Sequence, residues 1–179
     1  MPEHGQPITF AEYDAIPETT RFTELIGGVL ILSPSVTDDH QRTVGNILYL
    51  LHEKAPDGEV YPTLTGVYLD DENVVEPDVI WLAKDGHCMV EEQYLVGAPE
   101  LLVEILSPAT AKRDKTIKFA LYERFGVDEY WIVDPKNRIL EVWILKAGHY
   151  QRFGVYDPED TFVSPVLGQT IEVKAIFER

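Results

Sequence analysis

Along most of the chain, apolar and polar positions alternate in short blocks, and in only two stretches do they settle into a helical period. In "RFTELIGGVLILS", residues 21–33, two β-rich runs flank Gly27 and Gly28, whose tolerance of positive φ predicts a tight hairpin. Val44, Ile47, Leu48 and Leu51 then recur at helical spacing in "HQRTVGNILYLLHEK", with Asp38 and Asp39 as capping candidates and "PDG" at 56–58 as the stop. "EVYPTLTGVYLD" and "NVVEPDVIWLA", separated by the polar turn "DDEN", are expected to be neighbouring antiparallel strands. Residues 84–98 read as a looser segment. "PELLVEILSP", 99–108, reads as a buried strand, and "SPATAKRDKTIKFALYERFGV" as a helix of about four turns closed near Gly126. "DEYWIVD", the turn "PKNR", "ILEVWIL" and "GHYQRFGVY" complete a terminal meander. The order predicts an α/β domain with a mixed sheet, not the alternating units of a doubly wound fold.

One residue breaks the pattern of the 99–108 strand. Glu104 shares a face with Leu102 and Leu106, while Leu101, Val103 and Ile105 occupy the other. An ionised carboxylate between two apolar faces is costly unless a cation, a metal or several donors meet it. Asp78 in "VVEPDVIWLA" repeats the anomaly. If the two strands pair, both acids project toward one end of the sheet as hard oxygen ligands suited to magnesium or manganese. On the following helix, Asp114, Lys118 and Tyr122 fall at i, i+4 and i+8, one stripe from which Lys118 can point back at the acids. Lys112 and Lys115 differ in helical phase and are expected to face solvent.

Composition narrows the classes. A length of 179 residues with 45% hydrophobic content suits one well-buried core, so residues 1–179 are read as a single domain, with a core over about 22–135 and a β meander over 136–179. No window reaches the roughly 18 consecutive apolar residues of a membrane span, and "MPEHGQPITF" lacks the pattern of an export signal, which points to a cytoplasmic protein without membrane partners. The single cysteine, Cys88, excludes an intramolecular disulfide and a thiolate zinc cluster. A formal charge of −16 argues against broad, nonspecific nucleic-acid affinity, although the 15 Lys and Arg residues can still cluster.

"EPDVIWL", "PELLVEILSPAT" and "RDKTIKFALYERFGVDEYWIVDP" together resemble the Uma-type endonuclease family, within the PD-(D/E)XK nuclease superfamily of restriction-endonuclease-like fold. The resemblance extends upstream to "FTELIGGVLILSPSVTDDHQRTVGNILYLL". It implies a mixed β-sheet flanked by helices, with additional N- and C-terminal β-hairpins. It also implies that Pro77-Asp78 is the "PD" element, Glu104 the second acid, and Lys118 a lysine moved from the superfamily position, here Leu106, onto the next helix. Asp78, Glu104 and the backbone carbonyl of Ile105 would then hold Mg2+ or Mn2+, and Lys118 would position the water that attacks a phosphodiester in DNA. Tyr122 and Asp114 would orient Lys118. Glu24 matches a further metal or water ligand and His40 a phosphate or water contact. A homodimer would place two such sites on opposite strands.

Plainer roles stand beside each of these. Asp78 would cap backbone amides after Pro77, Glu104 would form a buried ion pair with Lys118 or an arginine, and Lys118 alone would be a solvated helix residue. Asp114 would merely support Lys118, and Tyr122 would sit at the core edge. Glu24 would face water and His40 would be a first-turn polar residue. His87-Cys88 lacks the spaced partners of a metal dyad, and Ser33, Ser107 and Ser164 lack a nucleophile-elbow setting. No phosphate-binding glycine loop or base-reading module is present. Trp131 or Trp143 at an exposed edge would mark a subunit interface. The alternative to an enzyme is a catalytically weak or inactive nuclease-fold protein serving as a binding or assembly module.

Overall fold

The computed structural model describes residues 7–16, 23–32 and 37–178. Arg21, Phe22 and Ser33, at the ends of the expected hairpin, lie outside the described residues. A short helix, α1 (Phe10–Asp14), precedes the hairpin of β1 (Thr23–Ile26) and β2 (Val29–Leu32), which turns at Gly27 and Gly28 with φ of +58° and +73°. Helix α2 (Asp38–Lys54) is capped by Thr37, whose hydroxyl accepts the His40 N–H; Asp38 and Asp39 fall in the first turn instead, where their charge suits the helix N-terminus.

Each segment expected to be one strand is cut in two. The first yields β3 (Gly58–Pro62) and β4 (Gly66–Asp70), the second β5 (Asn73–Val75) and β6 (Val79–Ala83). β4 pairs with β5 and β3 with β6, both antiparallel, but in different sheets. The breaks coincide with Pro62 and Pro77, which have no N–H to extend a ladder. The segment expected to be loose contains two short strands, β7 (Met89–Val90) and β8 (Tyr94–Val96). After β9 (Leu101–Ile105), the helix runs as α3 (Ala111–Arg113), a π-helical turn over Asp114–Lys118 and α4 (Phe119–Phe125), closed by Gly126 at φ +91°. β10 (Glu129–Asp134), β11 (Ile139–Lys146), β12 (His149–Tyr156), β13 (Thr161–Val163), β14 (Thr170–Glu172) and α5 (Lys174–Phe177) follow.

Two mixed sheets result, ordered β12-β11-β10-β9-β6-β3 and β2-β1-β5-β4-β8-β7. In the first, β9 and β10 are parallel and their other neighbours antiparallel. The alternation expected along β9 holds. Leu101, Val103 and Ile105 pack with Ile47, Leu50 and Leu51 of α2, while Leu102 packs with Tyr122, Tyr130 and Ile132 on the other side. Each such side chain contributes about 1.5–3 kcal/mol by leaving water. Among the described residues, no helix is long and apolar enough to cross a membrane.

Two glycine substitutions should move stability in opposite directions. A Cβ at Gly58 would lie 2.4 Å from both the Trp81 ring and the Leu82 carbonyl oxygen, so Gly58→Ala should cost about 1–3 kcal/mol. Gly45, exposed within α2, has nothing near its would-be Cβ, and Gly45→Ala should stabilise by about 0.5–1 kcal/mol. Thermal melts of the two variants against the parent check both signs.

Candidate active site

The antiparallel register of β6 and β9 sets Val79 opposite Val103, so Asp78 and Glu104, each the next residue beyond that pair, fall at the same end of the sheet. The Ile105 N–H donates to Asp78 Oδ2 at 2.7 Å, and the Thr63 hydroxyl donates to the Asp78 carbonyl at 3.1 Å. Asp78 thus accepts a backbone amide, as its plainer role required, but from the neighbouring strand and at the sheet end that Glu104 shares. His40 Nε2, from the first turn of α2, lies 3.2 Å from Asp78 Oδ2, so this imidazole, buried in the structure, bears on the carboxylate.

Glu104 is 3% exposed, and its Oε1 accepts from Lys118 Nζ at 2.7 Å and from the Tyr122 hydroxyl at 2.6 Å. Lys118, 2% exposed, also places Nζ 2.7 Å from Glu24 Oε1, which in turn accepts the Glu76 N–H at 3.0 Å. Glu24 therefore does not face water, and Lys118 is not a solvated helix residue. The ion pair offered as the alternative for Glu104 is present, yet it occupies one carboxylate oxygen and leaves Asp78 outside it. The π-helical turn carries Asp114 and Lys118 on its buried side, and π turns of this kind are frequent at functional sites. Tyr122 reaches Glu104 and not Lys118. Asp114 Oδ1 lies 3.9 Å from Arg113 Nε, and its main-chain carbonyl accepts from the Tyr130 hydroxyl at 3.2 Å. Lys112 and Lys115 are both exposed as expected, and Lys115 reaches Glu141 at 2.5 Å from that position.

The electrostatics are lopsided. Glu24, Glu76, Asp78, Glu104 and Asp114 converge, while Lys118 and Arg113, with Nη2 at 3.5 Å from Glu24 Oε2, supply the fixed positive charge. Burial holds the Glu104 carboxyl well above the usual range; Lys118 pulls it back, and Asp114, Asp78 and Glu24 push it up further. Burial also opposes the charge on Lys118, but Glu104, Glu24 and Asp114 outweigh it and keep the ammonium protonated. Burial raises Asp114 against the pull of Lys118, and burial followed by Glu104 raises Tyr122.

This surplus of buried negative charge is the chemistry that a divalent cation neutralises. Among the described residues, no three His, Cys, Asp or Glu side chains converge as a protein-only metal cage. The donor set is two carboxylates, Asp78 and Glu104, beside the Ile105 main chain. Magnesium characteristically binds through one or two carboxylates while retaining waters, so this set fits such an ion.

Glu76, which residue-by-residue reading did not single out, is pushed up to about 7, first by burial and then by Glu24. A carboxyl raised in the folded state contributes stability that is complete below its unfolded value of roughly 4.3 and is lost as pH rises through the folded value. Melting temperature should accordingly fall between about pH 4.5 and pH 7.5. Glu76→Gln should flatten that fall, which melts across the pH series will read. Arg113, Thr63 and Tyr130 were also missed. All four serve the site through partners distant in sequence. The available signal for Glu76 was its place in "EPD", two positions before Asp78 and so on the same face of an extended chain.

Other singled-out residues have structural partners. The His87 N–H goes to Glu100 at 2.6 Å, and burial followed by Glu100 lifts the Cys88 thiol to about 11. Ser107 bonds Thr110. Ser164 and Trp131 both donate to the buried Glu129, so Trp131 belongs to the core and marks no interface; Trp143 is partly buried against Phe119.

Residues 10–174 match the family described as "Uma2: Putative restriction endonuclease". The chain is 25% identical over 175 residues to the uncharacterized protein sll1609 of Synechocystis sp., covering 95% of this chain and 93% of that one. A crystal structure from Anabaena variabilis, described as a putative nuclease belonging to DUF820, superposes with a TM-score of 0.79 at 20% identity, over 96% of this chain and 98% of that one. That likeness establishes the restriction-endonuclease-like fold class, with mixed sheets flanked by helices.

Proposed function

The chain belongs to the Uma2 family of restriction-endonuclease-like proteins, and on that footing we propose that it is a divalent-metal-dependent endonuclease hydrolysing phosphodiester bonds in DNA. The observation that carries the reading is that Asp78, just before β6, lies at the same sheet end as Glu104 of β9 and its ion-pair partner Lys118 from the helix that follows β9. Asp78, Glu104 and the Ile105 carbonyl would hold Mg2+ or Mn2+, which when bound polarises a phosphoryl oxygen and eases deprotonation of water.

The chain's own residues divide the remaining work. Lys118 supplies a fixed ammonium that orients the attacking water and offsets charge building on the phosphoryl oxygens. Tyr122 fixes Glu104 by its hydrogen bond, leaving Oε2 as the ligand atom. His40 and the Ile105 N–H set the direction of Asp78. Glu24 shares Lys118 with Glu104, Asp114 reinforces the charge on Lys118, and Arg113 balances Glu24. Cleavage of both strands calls for two such sites, which a homodimer supplies.

A second reading, an inactive nuclease-fold module, draws on the two ion pairs that engage Lys118 within the chain. Calorimetric titration of manganese separates the two. Saturable binding should occur in the parent and vanish in Asp78→Ala and in Glu104→Ala, each verified as folded by circular dichroism. Binding that survives both substitutions sinks the proposed site, and a parent that binds neither manganese nor magnesium, with or without DNA, favours the module.

A further inference from the structure

Four of the chain's 15 Lys and Arg residues fall in the seven-residue stretch "KRDKTIK", 112–118. Lys118 turns inward to the acids and the Arg113 guanidinium reaches Glu24, while Lys112 and Lys115 lie along the outer side of the same segment. Lys112 is exposed, Arg113 sits 16% exposed at the edge of the acidic cluster, and Lys115 is 43% exposed where it reaches Glu141. The parallel register of β9 and β10, with Ile105 opposite Val133, brings the turn after β10 to the same sheet end and adds the exposed Lys136. Lys115 also acts on Asp134 beside that turn. In a chain of net charge −16 these exposed lysines are a local concentration of cations, although Glu141 and Asp134 lie among them, and they adjoin the acidic cluster.

Resting on the nuclease reading above, we propose that Lys112, Arg113, Lys115 and Lys136 form the surface that holds the phosphodiester backbone of duplex DNA beside Asp78 and Glu104. Elsewhere the net acidity repels a polyanion, which confines contact to this edge. Arg113, held at Glu24, adds positive charge at the edge nearest the acids, while the lysines act as point charges along the strand. Lys115 exchanges Glu141 for a phosphate when the strand arrives. Few contacts imply a shallow salt dependence, with a slope of log K against log salt of about −3 to −4 for a duplex.

The test is fluorescence anisotropy with a labelled duplex of about 20 base pairs, in calcium to suppress turnover, between about 50 and 200 mM salt. Lys112→Ala and Lys136→Ala alter exposed side chains and should each reduce the slope by about 0.9 and weaken binding roughly five- to tenfold at 0.1 M salt. Lys146→Ala, at the far end of β11, should change neither. If the parent binds with salt-dependent affinity and the two variants match its slope and affinity, the surface is wrong while the nuclease reading stands. A parent without salt-dependent duplex binding overturns both. Binding to single-stranded RNA of equal length, with none to the duplex, overturns DNA as the occupant.

Discussion

Replacing Lys118 by methionine is expected to destabilise the folded chain by about 3–5 kcal/mol, because it leaves Glu24 and Glu104 buried together without their shared cation. For a chain of this size the melting temperature should drop by roughly 6–20 °C. The charge origin of the loss can be separated from a packing defect. Glu104 and Asp114 are already held above their usual range, and without the ammonium they rise further. A raised carboxyl is best tolerated when protonated, so the stability gap between variant and parent should narrow as pH falls from about 8 toward 5. A gap that stays constant across that range, measured by urea titration, would assign the loss to packing. Lys118→Arg should recover less than the full stability, since a forked guanidinium must fit where a point charge bridges two oxygens, each 2.7 Å away.

The second large effect concerns chemistry. Asp78→Asn preserves shape but removes one of the two carboxylates assigned to the ion, and cleavage of plasmid DNA in manganese should fall on the order of 10³-fold, or about 4 kcal/mol of barrier. Its Nδ2 would also face the Ile105 N–H unless the amide turns its oxygen that way, so the variant's fold should be confirmed by circular dichroism. A rate within about tenfold of the parent would remove Asp78 from the reaction.

Much of this site could be read from the chain. Alternation along β9 isolated Glu104 on a face with Leu102, and helical phase separated Lys118 from Lys112, because both depend only on local period. The splitting of two expected strands was foreshadowed by Pro62 and Pro77, but periodicity does not reveal that the pieces on either side belong to different sheets. β7 and β8 are two and three residues long, too short to express an alternation. The π-helical turn is likewise silent in sequence, since a stripe at i, i+4 and i+8 does not register a local change of pitch. Glu76 and Arg113 went unnoticed because both act on Glu24, a relation set by the packing of elements distant in the chain and not by sequence neighbours.

The three residues that touch at the centre, Glu24, Glu104 and Lys118, come from β1, β9 and the π-helical turn, and Asp78 stands beside them just before β6. During synthesis, three acids emerge from the ribosome before the ammonium that reconciles two of them. Contacts between such distant positions form slowly and late. The buried cluster is therefore expected to assemble only once the helix has docked. A product truncated before residue 118 would carry the acids without the ammonium that pairs two of them, and so would bury uncompensated charge if it folded.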